Sequence, residues 1–205
     1  MADVNGDGVA DVVVTHSSAS SNVSVLLGTG GGALAAPVGY ITGNNPYALA
    51  LADVNGDGKP DLVTASTYGG TIGDGSVSIL LGNGNGTFQT KTEIYGGANS
   101  PTGLAVADFD GDGKLDVATL GRQPAPTRGA LVASLALGAS TSPQVSILRG
   151  NGDGTFASPT SFANRASDPS SPMTFAIVPY RASAHDVTIT TCETTSAPAP
   201  TAHHH

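Results

Sequence analysis

A short acidic segment occurs three times in the chain, and it constrains the fold more than any other feature. Its pattern is Asp-x-Asn/Asp-x-Asp-Gly-x-x-Asp, and a run of β-branched and aliphatic residues follows each copy directly. Repeats of this kind, in which a loop alternates with short apolar runs, indicate an array of similar units that bury their apolar faces against one another. The copies are the first loop (residues 3–11), the second loop (residues 53–61) and the third loop (residues 108–116).

A second element alternates with these loops. The pattern Val-Ser-Val/Ile-Leu-x-Gly occupies residues 23–28, 77–82 and 145–150. The last two copies continue into Asn-Gly-Asn/Asp-Gly-Thr-Phe at residues 83–88 and 151–156, whereas the first continues into a looser, glycine-rich stretch. Because glycine and asparagine tolerate positive φ, these stretches predict tight turns between strands.

The number of β-prone runs in one repeat indicates the architecture. In the second repeat four runs are visible, and the inner ones are apolar with little polar alternation, as in strands that are buried on both faces. Four short strands in each repeat predict an all-β fold, a β-propeller-like array of about three to four four-stranded blades that forms a partial propeller. The four runs are residues 47–52, 61–66, 77–82 and 90–95.

The repeats are predicted to span residues 1–190. The third repeat contains an insertion at residues 122–143, which is either a surface loop with an apolar patch folded back on the blade or a short element that docks a partner. Near residues 171–190 a degenerate fourth repeat is visible, and Arg181 stands at one of its ligand positions, which argues against a fourth ion. Residues 191–205 are rich in Ser, Thr, Ala and Pro and predict a disordered tail.

The charge balance narrows the range of partners. The formal net charge is −8, so binding to a nucleic-acid backbone is not expected. Ten of the 16 acidic residues lie in the three loops, which favours cations as partners. No apolar run is long enough to span a membrane, no secretion signal is visible, and the single cysteine, Cys192, excludes an internal disulfide.

The three loops have the chemistry of a calcium site. Calcium takes six to eight oxygen ligands, and in this pattern the side chains at positions 1, 3, 5 and 9 and the carbonyl at position 7 supply them, while glycine at position 6 permits a sharp turn with positive φ. Oxygen ligands without histidine or cysteine favour Ca²⁺ over zinc or copper. The predicted ligands are Asp3, Asn5, Asp7, Val9 and Asp11 in the first loop, Asp53, Asn55, Asp57, Lys59 and Asp61 in the second, and Asp108, Asp110, Asp112, Lys114 and Asp116 in the third.

The residues of the loops argue against two other structures, an EF-hand and an acidic turn without an ion. An EF-hand needs Glu at position 12 and flanking helices, but Val14, Thr64 and Thr119 stand there and β-prone runs follow. Acidic turns without an ion would crowd carboxylates that repel one another by about 1 kcal/mol at 4 Å even in water. We therefore expect three Ca²⁺ ions, with the third loop, which has four carboxylates, binding most tightly.

These residues resemble the FG-GAP (VCBS-type) repeats of integrin α-subunit propellers, some fungal lectins and many bacterial surface proteins. The pieces that carry the resemblance are residues 49–63 and 77–88. The resemblance implies seven-bladed propellers, calcium loops on the hairpin that joins the first two strands of a blade, and extracellular adhesion or glycan binding. The sequence holds fewer blades than such a ring and begins at a loop, so we expect either a fragment or copies that associate to complete a ring, with residues 174–178 as a candidate strand beside residues 11–15.

Three functions follow as hypotheses. The first is a calcium-binding module, secreted or on the cell surface, for adhesion or for binding an extracellular protein or glycan, since modules that bind calcium at about 10⁻⁴–10⁻³ M work outside cells. The alternatives are a glycan-binding lectin and a non-catalytic accessory region of a larger secreted enzyme.

Aromatic residues bear on the lectin hypothesis, and histidine and serine residues bear on catalysis. Phe88, Phe109 and Phe156 recur in register and are predicted to pack in the core. No catalytic residue is predicted, because His16 and His185 are isolated and the serines between residues 17 and 21 form a polar loop. The candidate sugar platforms are Tyr40, Tyr47, Tyr68 and Tyr95.

Overall fold

A computed structural model describes residues 2–16, 22–68, 75–95, 99–122 and 143–163. Within these ranges every regular element is a β-strand, which confirms the predicted all-β fold. No helix in this part of the chain has the length and apolar character needed to cross a membrane. The expectations for the insertion at 122–143, for the fourth repeat and for the tail concern residues that lie almost wholly outside the described ranges.

The strands form three blades that follow one another along the chain. The first blade contains β1 (Val12–Thr15), β2 (Asn22–Leu26), β3 (Gly28–Gly30), β4 (Ala33–Leu34) and β5 (Val38–Ile41). The second blade contains β6 (Asn44–Ala52), β7 (Asp61–Tyr68), β8 (Ser76–Leu80) and β9 (Thr92–Tyr95). The third blade contains β10 (Asn99–Ala107), β11 (Asp116–Arg122), β12 (Pro143–Leu148) and β13 (Thr160–Ala163).

The second and third blades are antiparallel four-stranded meanders, β6-β7-β8-β9 and β10-β11-β12-β13, as predicted. The first blade differs from the expectation of four strands. Its sheet is β1-β2-β5, and β3 and β4 form a separate small hairpin. Ala2 makes a single bridge to Asp11. At the same place in the other two blades, the last residue of the first strand makes the equivalent pair, Ala52 with Asp61 and Ala107 with Asp116. Among the described residues, Ala2 alone occupies the position of the first strand of this blade.

Strand boundaries in the second blade also differ from the predicted runs. The first strand begins at Asn44 instead of residue 47, with Asn45 at φ 55° and a register shift between Pro46 and Ala48. The third strand ends at Leu80 instead of residue 82, because the Gly82 N–H is bonded to a side chain and not to the neighbouring strand. At both positions the backbone departs from regular strand pairing.

The hydrophobic core lies between the blades. Adjacent residues on β7 point to opposite faces, so that Leu62 packs towards the first blade and Val63 towards the third, and both are fully buried. The inner strands of the second blade, β7 and β8, are thus buried on both faces, as predicted. The cluster between the first two blades contains Val4, Val23, Val25, Leu62, Leu80 and Phe88, and the cluster between the second and third contains Val54, Val63, Ile79, Leu104, Val117 and Leu148 among others.

Phe88 and Phe156 belong to these clusters, but the core position predicted for Phe109 is wrong. Phe109 is 38% exposed, whereas Val4 and Val54, at the same loop position of the preceding blades, are 2% exposed. Both valines are covered by the turn of the blade that follows, and the described residues hold no such turn over Phe109. Burial at this position therefore depends on the neighbouring blade.

The clusters between blades should carry most of the stability. Leu62→Ala removes a fully buried side chain from the interface of the first two blades and should lower the free energy of unfolding by about 2–5 kcal/mol. Leu34→Ala is the matched control, because Leu34 is 45% exposed and should lose much less. Chemical denaturation of both variants tests this expectation, and equal losses would contradict it.

Candidate metal centres

Each acidic loop lies at the tip of a hairpin and leads directly into the second strand of that hairpin. The second loop joins β6 to β7, the third joins β10 to β11, and the first runs from the Ala2 bridge into β1. All three contain two glycines with positive φ, and the predicted turn glycines at position 6 have φ of 81°, 81° and 86°. This confirms the predicted role of Gly8, Gly58 and Gly113.

The backbone of each loop curls around the carboxylate at position 1. In the first loop Asp3 accepts hydrogen bonds from the Gly6 N–H at 2.7 Å and from the Gly8 N–H at 2.8 Å. The bond from Gly8, with smaller contributions from the other loop amides, lowers the pKa of Asp3 below its ordinary value. Asp53 and Asp108 accept the same pair of bonds in the other loops.

The carboxylate at position 5 bonds to the backbone two residues ahead. Asp57 accepts a hydrogen bond from the Lys59 N–H at 3.0 Å, and its other oxygen lies 3.3 Å from the Lys59 ammonium. These contacts lower the pKa of Asp57, the backbone bond most strongly. Lys114 has the same effect on Asp112. Asp57 and Asp112 are therefore held in their charged form.

The carboxylate at position 9 is buried and ties the loop to the sheet. Asp61 has no solvent exposure, and its two oxygens accept from the Val54 N–H at 2.9 Å and the Gly82 N–H at 2.7 Å. A side chain at Gly82 would place its Cβ 2.1 Å from the Pro60 carbonyl oxygen, so only glycine fits there. The same arrangement joins Asp11 to Val4 and Gly28, and Asp116 to Phe109 and Gly150.

These glycine donors are functional residues that were missed in the sequence. Gly28, Gly82 and Gly150 end the Val-Ser-x-Leu-x-Gly element, and only a pairing of that element with position 9 of the loop would have revealed them.

Burial raises the pKa of Asp61, the Gly82 and Val54 amides oppose this, and the negative charges of Asp53 and Asp57 raise the pKa further. The net shift is upward, and burial of the carboxylate is its main cause.

The donor set fits a hard divalent cation. In the third loop, carboxylate oxygens of Asp108, Asp110 and Asp116 all lie within 4.8 Å of one another, with Asp116 buried and the other two exposed. Ligands that are all oxygen and mostly anionic are those that Ca²⁺ prefers. Two cationic side chains border this loop, since Lys114 lies 3.3 Å from Asp112 and the Arg149 Nε lies 3.5 Å from Asp110.

The first and second loops have Asn at position 3, and their backbone bonds match those of the third. In the first loop the Asn5 amide donates to Asp7 at 2.8 Å. The predicted carbonyl ligands at Val9, Lys59 and Lys114, and the full ligand set of each loop, stay predictions.

The other candidates have different surroundings. The His16 Nε2 lies 2.8 Å from the Ser24 hydroxyl at the exposed end of β1 and β2. Tyr40, one of the candidate sugar platforms, packs edge-on against Phe88 with ring centroids 5.4 Å apart, so its ring belongs to the core. Tyr95 is half exposed. His185 and the serines between residues 17 and 21 lie outside the described residues.

Blades of antiparallel strands with oxygen-rich loops on their hairpins define a repeat protein of the propeller type. FG-GAP-like repeats match residues 3–64 and 67–119, more than half of the chain, and the chain belongs to this family. Integrin alpha-4 of Xenopus laevis is 30% identical over 137 residues, and integrin alpha-IIb of Mus musculus is 33% identical over 135 residues. Each match covers 57% of this chain and only 13% of the relative, so the chain spans a small part of these relatives.

The buried carboxylate at position 9 should matter for stability even without metal. Asp61→Asn turns one oxygen acceptor into an amide donor that faces an N–H group, and it should lower the free energy of unfolding in EDTA by about 1–3 kcal/mol. Asp57→Asn is the matched control, since it removes the same charge from an exposed position of the same loop. Denaturation curves that lose stability equally in both variants would contradict this role.

Proposed function

We propose that the chain is a calcium-stabilised module for extracellular adhesion or ligand binding, with one Ca²⁺ ion at each of the three loops. The observation that carries this proposal is the convergence of the Asp108, Asp110 and Asp116 carboxylates on one small volume. Such a group of like charges is unfavourable alone and becomes favourable when a divalent cation lies among them.

Calcium would supply positive charge, and the loop oxygens at positions 1, 3, 5, 7 and 9 would hold it. The chain's own contribution is rigidity. The amides at positions 4 and 6 fix the carboxylate at position 1, and Asp11, Asp61 and Asp116 anchor the ends of the loops in the sheets. An ion that binds only this folded arrangement stabilises it by mass action.

Adhesion or ligand binding is supported by the kinship with integrin alpha subunits. We place the module outside the cell, secreted or at the cell surface, where millimolar calcium suits loops of this type. Its partner would be an extracellular protein or a glycan. A second copy of the chain that completes a propeller ring remains a further proposed partner.

The lectin alternative is favoured by one observation. Tyr95 and Phe162 lie on β9 and β13, the outer strands of successive blades, and are 50% and 54% exposed. Such rings can stack on sugars. We propose a non-catalytic role in either case, either as an independent module or as an accessory region of a secreted enzyme, because the carboxylates are engaged by loop amides and suit metal binding better than proton transfer.

Calorimetric titration tests the metal sites. We expect three equivalents of Ca²⁺ to bind at about 10⁻⁴–10⁻³ M. At a free concentration about 100 times the dissociation constant, each ion should add about 2.7 kcal/mol to the free energy of unfolding, so EDTA should lower the melting temperature clearly. Mg²⁺, which demands a stricter octahedron, is the control ion and should bind more weakly. No heat with Ca²⁺ and an unchanged melt in EDTA would refute the proposal.

A further inference from the structure

A second set of turns lies between the acidic loops of neighbouring blades. We call residues 82–88 and 150–156 the glycine turns of the second and third blades. Each begins at the glycine that donates its N–H to the buried carboxylate at position 9 of its own blade, Gly82 to Asp61 and Gly150 to Asp116. One end of each turn is therefore fixed to the acidic loop of its own blade.

The middle of each glycine turn contacts the acidic loop of the preceding blade. The Gly86 N–H donates to the Val4 carbonyl oxygen at 3.1 Å. A Cβ on Gly86 would lie 2.7 Å from a Leu27 methyl carbon and 3.4 Å from the Asn5 Cβ. At the next interface a Cβ on Gly154 would lie 2.9 Å from a Leu81 methyl carbon and 3.5 Å from the Asn55 Cβ. Asn5 and Asn55 are predicted metal ligands at position 3.

The far end of each turn is anchored in the core between blades. Phe88 is 7% exposed in the cluster that contains Val4, and Phe156 packs against the cluster that contains Val54. In the first blade, which has no preceding blade among the described residues, the corresponding stretch contains the β3–β4 hairpin and ends in Leu34, which is 45% exposed. A buried phenylalanine therefore ends the turn in the two blades whose turn contacts a preceding blade.

A continuous path joins the buried carboxylates of successive loops. Asp11 accepts from the Val4 N–H at 2.8 Å, Val4 accepts from Gly86 at 3.1 Å, and the turn leads back to Gly82, which donates to Asp61 at 2.7 Å. Between the first and second loops, every step is therefore a hydrogen bond donated by a backbone N–H or a covalent segment of a few residues. A change in the backbone of one loop must therefore be accommodated at the next.

We propose that the glycine turns couple neighbouring cation sites, so that an ion in one loop strengthens binding in the adjacent loop. Gly86 and Gly154 act as positioning residues for the loop of the preceding blade. The first and second sites are coupled, as are the second and third, whereas no turn in the described part of the chain joins the first site to the third. This inference rests on the proposed calcium binding. A coupling factor of about five or more is the expected size for adjacent sites.

Three single substitutions test the pattern of coupling. Asp7→Ala, Asp57→Ala and Asp112→Ala each remove the ligand oxygens of one exposed carboxylate and disable one loop. The sites that remain are 2 and 3, 1 and 3, and 1 and 2, respectively. Calorimetric titration of each pair is compared with chains in which only one loop is intact. Adjacent pairs should bind at least about five-fold more tightly than their separate sites predict. The pair of sites 1 and 3 should bind independently.

Glycine variants identify the turn as the connection. In the Asp112→Ala chain, Gly86→Ala should abolish the coupling between sites 1 and 2, because its Cβ meets Leu27 of the preceding blade. Gly84→Ala is the matched control: its φ of 76° is close to the 80° of Gly86, but its Cβ meets only the flexible Lys59 side chain of its own loop. Coupling should survive in that control.

The outcomes separate the two proposals. If the unsubstituted chain binds no Ca²⁺, the proposed function fails and the coupling fails with it. If three ions bind but all pairs are independent, or if sites 1 and 3 are coupled as strongly as adjacent sites, only the coupling is overturned. Should Gly86→Ala fail to fold, the comparison of the three pairs decides the question alone.

Discussion

The hydrogen-bonded burial of one carboxylate in each repeat is the interaction on which the rest of the structure depends. Asp11, Asp61 and Asp116 are almost fully removed from water, which would be strongly unfavourable for an unpaired charge. Each is instead held by two backbone N–H groups, one from its own loop and one from the glycine that ends the Val-Ser-x-Leu-x-Gly element of its blade. This interaction sets where the loop begins and ends, and thereby where the exposed carboxylates lie.

The electrostatics of the loops follow from that placement. Backbone amides hold Asp3, Asp57 and Asp112 in their charged form and lower their pKa values. The pKa of Asp61 is raised by its burial and, more weakly, by the charges of Asp53 and Asp57. The loops thus concentrate negative charge beside a buried carboxylate. A divalent cation would remove this conflict, and in the coupling that we propose the turns that pack against the preceding blade would carry the effect from one repeat to another.

Much of the fold could be predicted because the repeat makes the pattern visible. The acidic loops, the positive-φ glycines at position 6 and the four-stranded blades follow from local rules of turn and strand formation. What could not be predicted depends on neighbours distant in sequence. The roles of Gly28, Gly82 and Gly150 as donors to the loops needed the sheet pairing, and the exposure of Phe109 needed knowledge of what packs over it.

The most direct measurement for the central claim is an anomalous difference map from crystals grown with calcium. The account predicts one strong peak in each loop, surrounded by oxygens of positions 1, 3, 5, 7 and 9 at about 2.3–2.6 Å. Loops without a peak, with the carboxylates of Asp108, Asp110 and Asp116 turned away from one another, would contradict it.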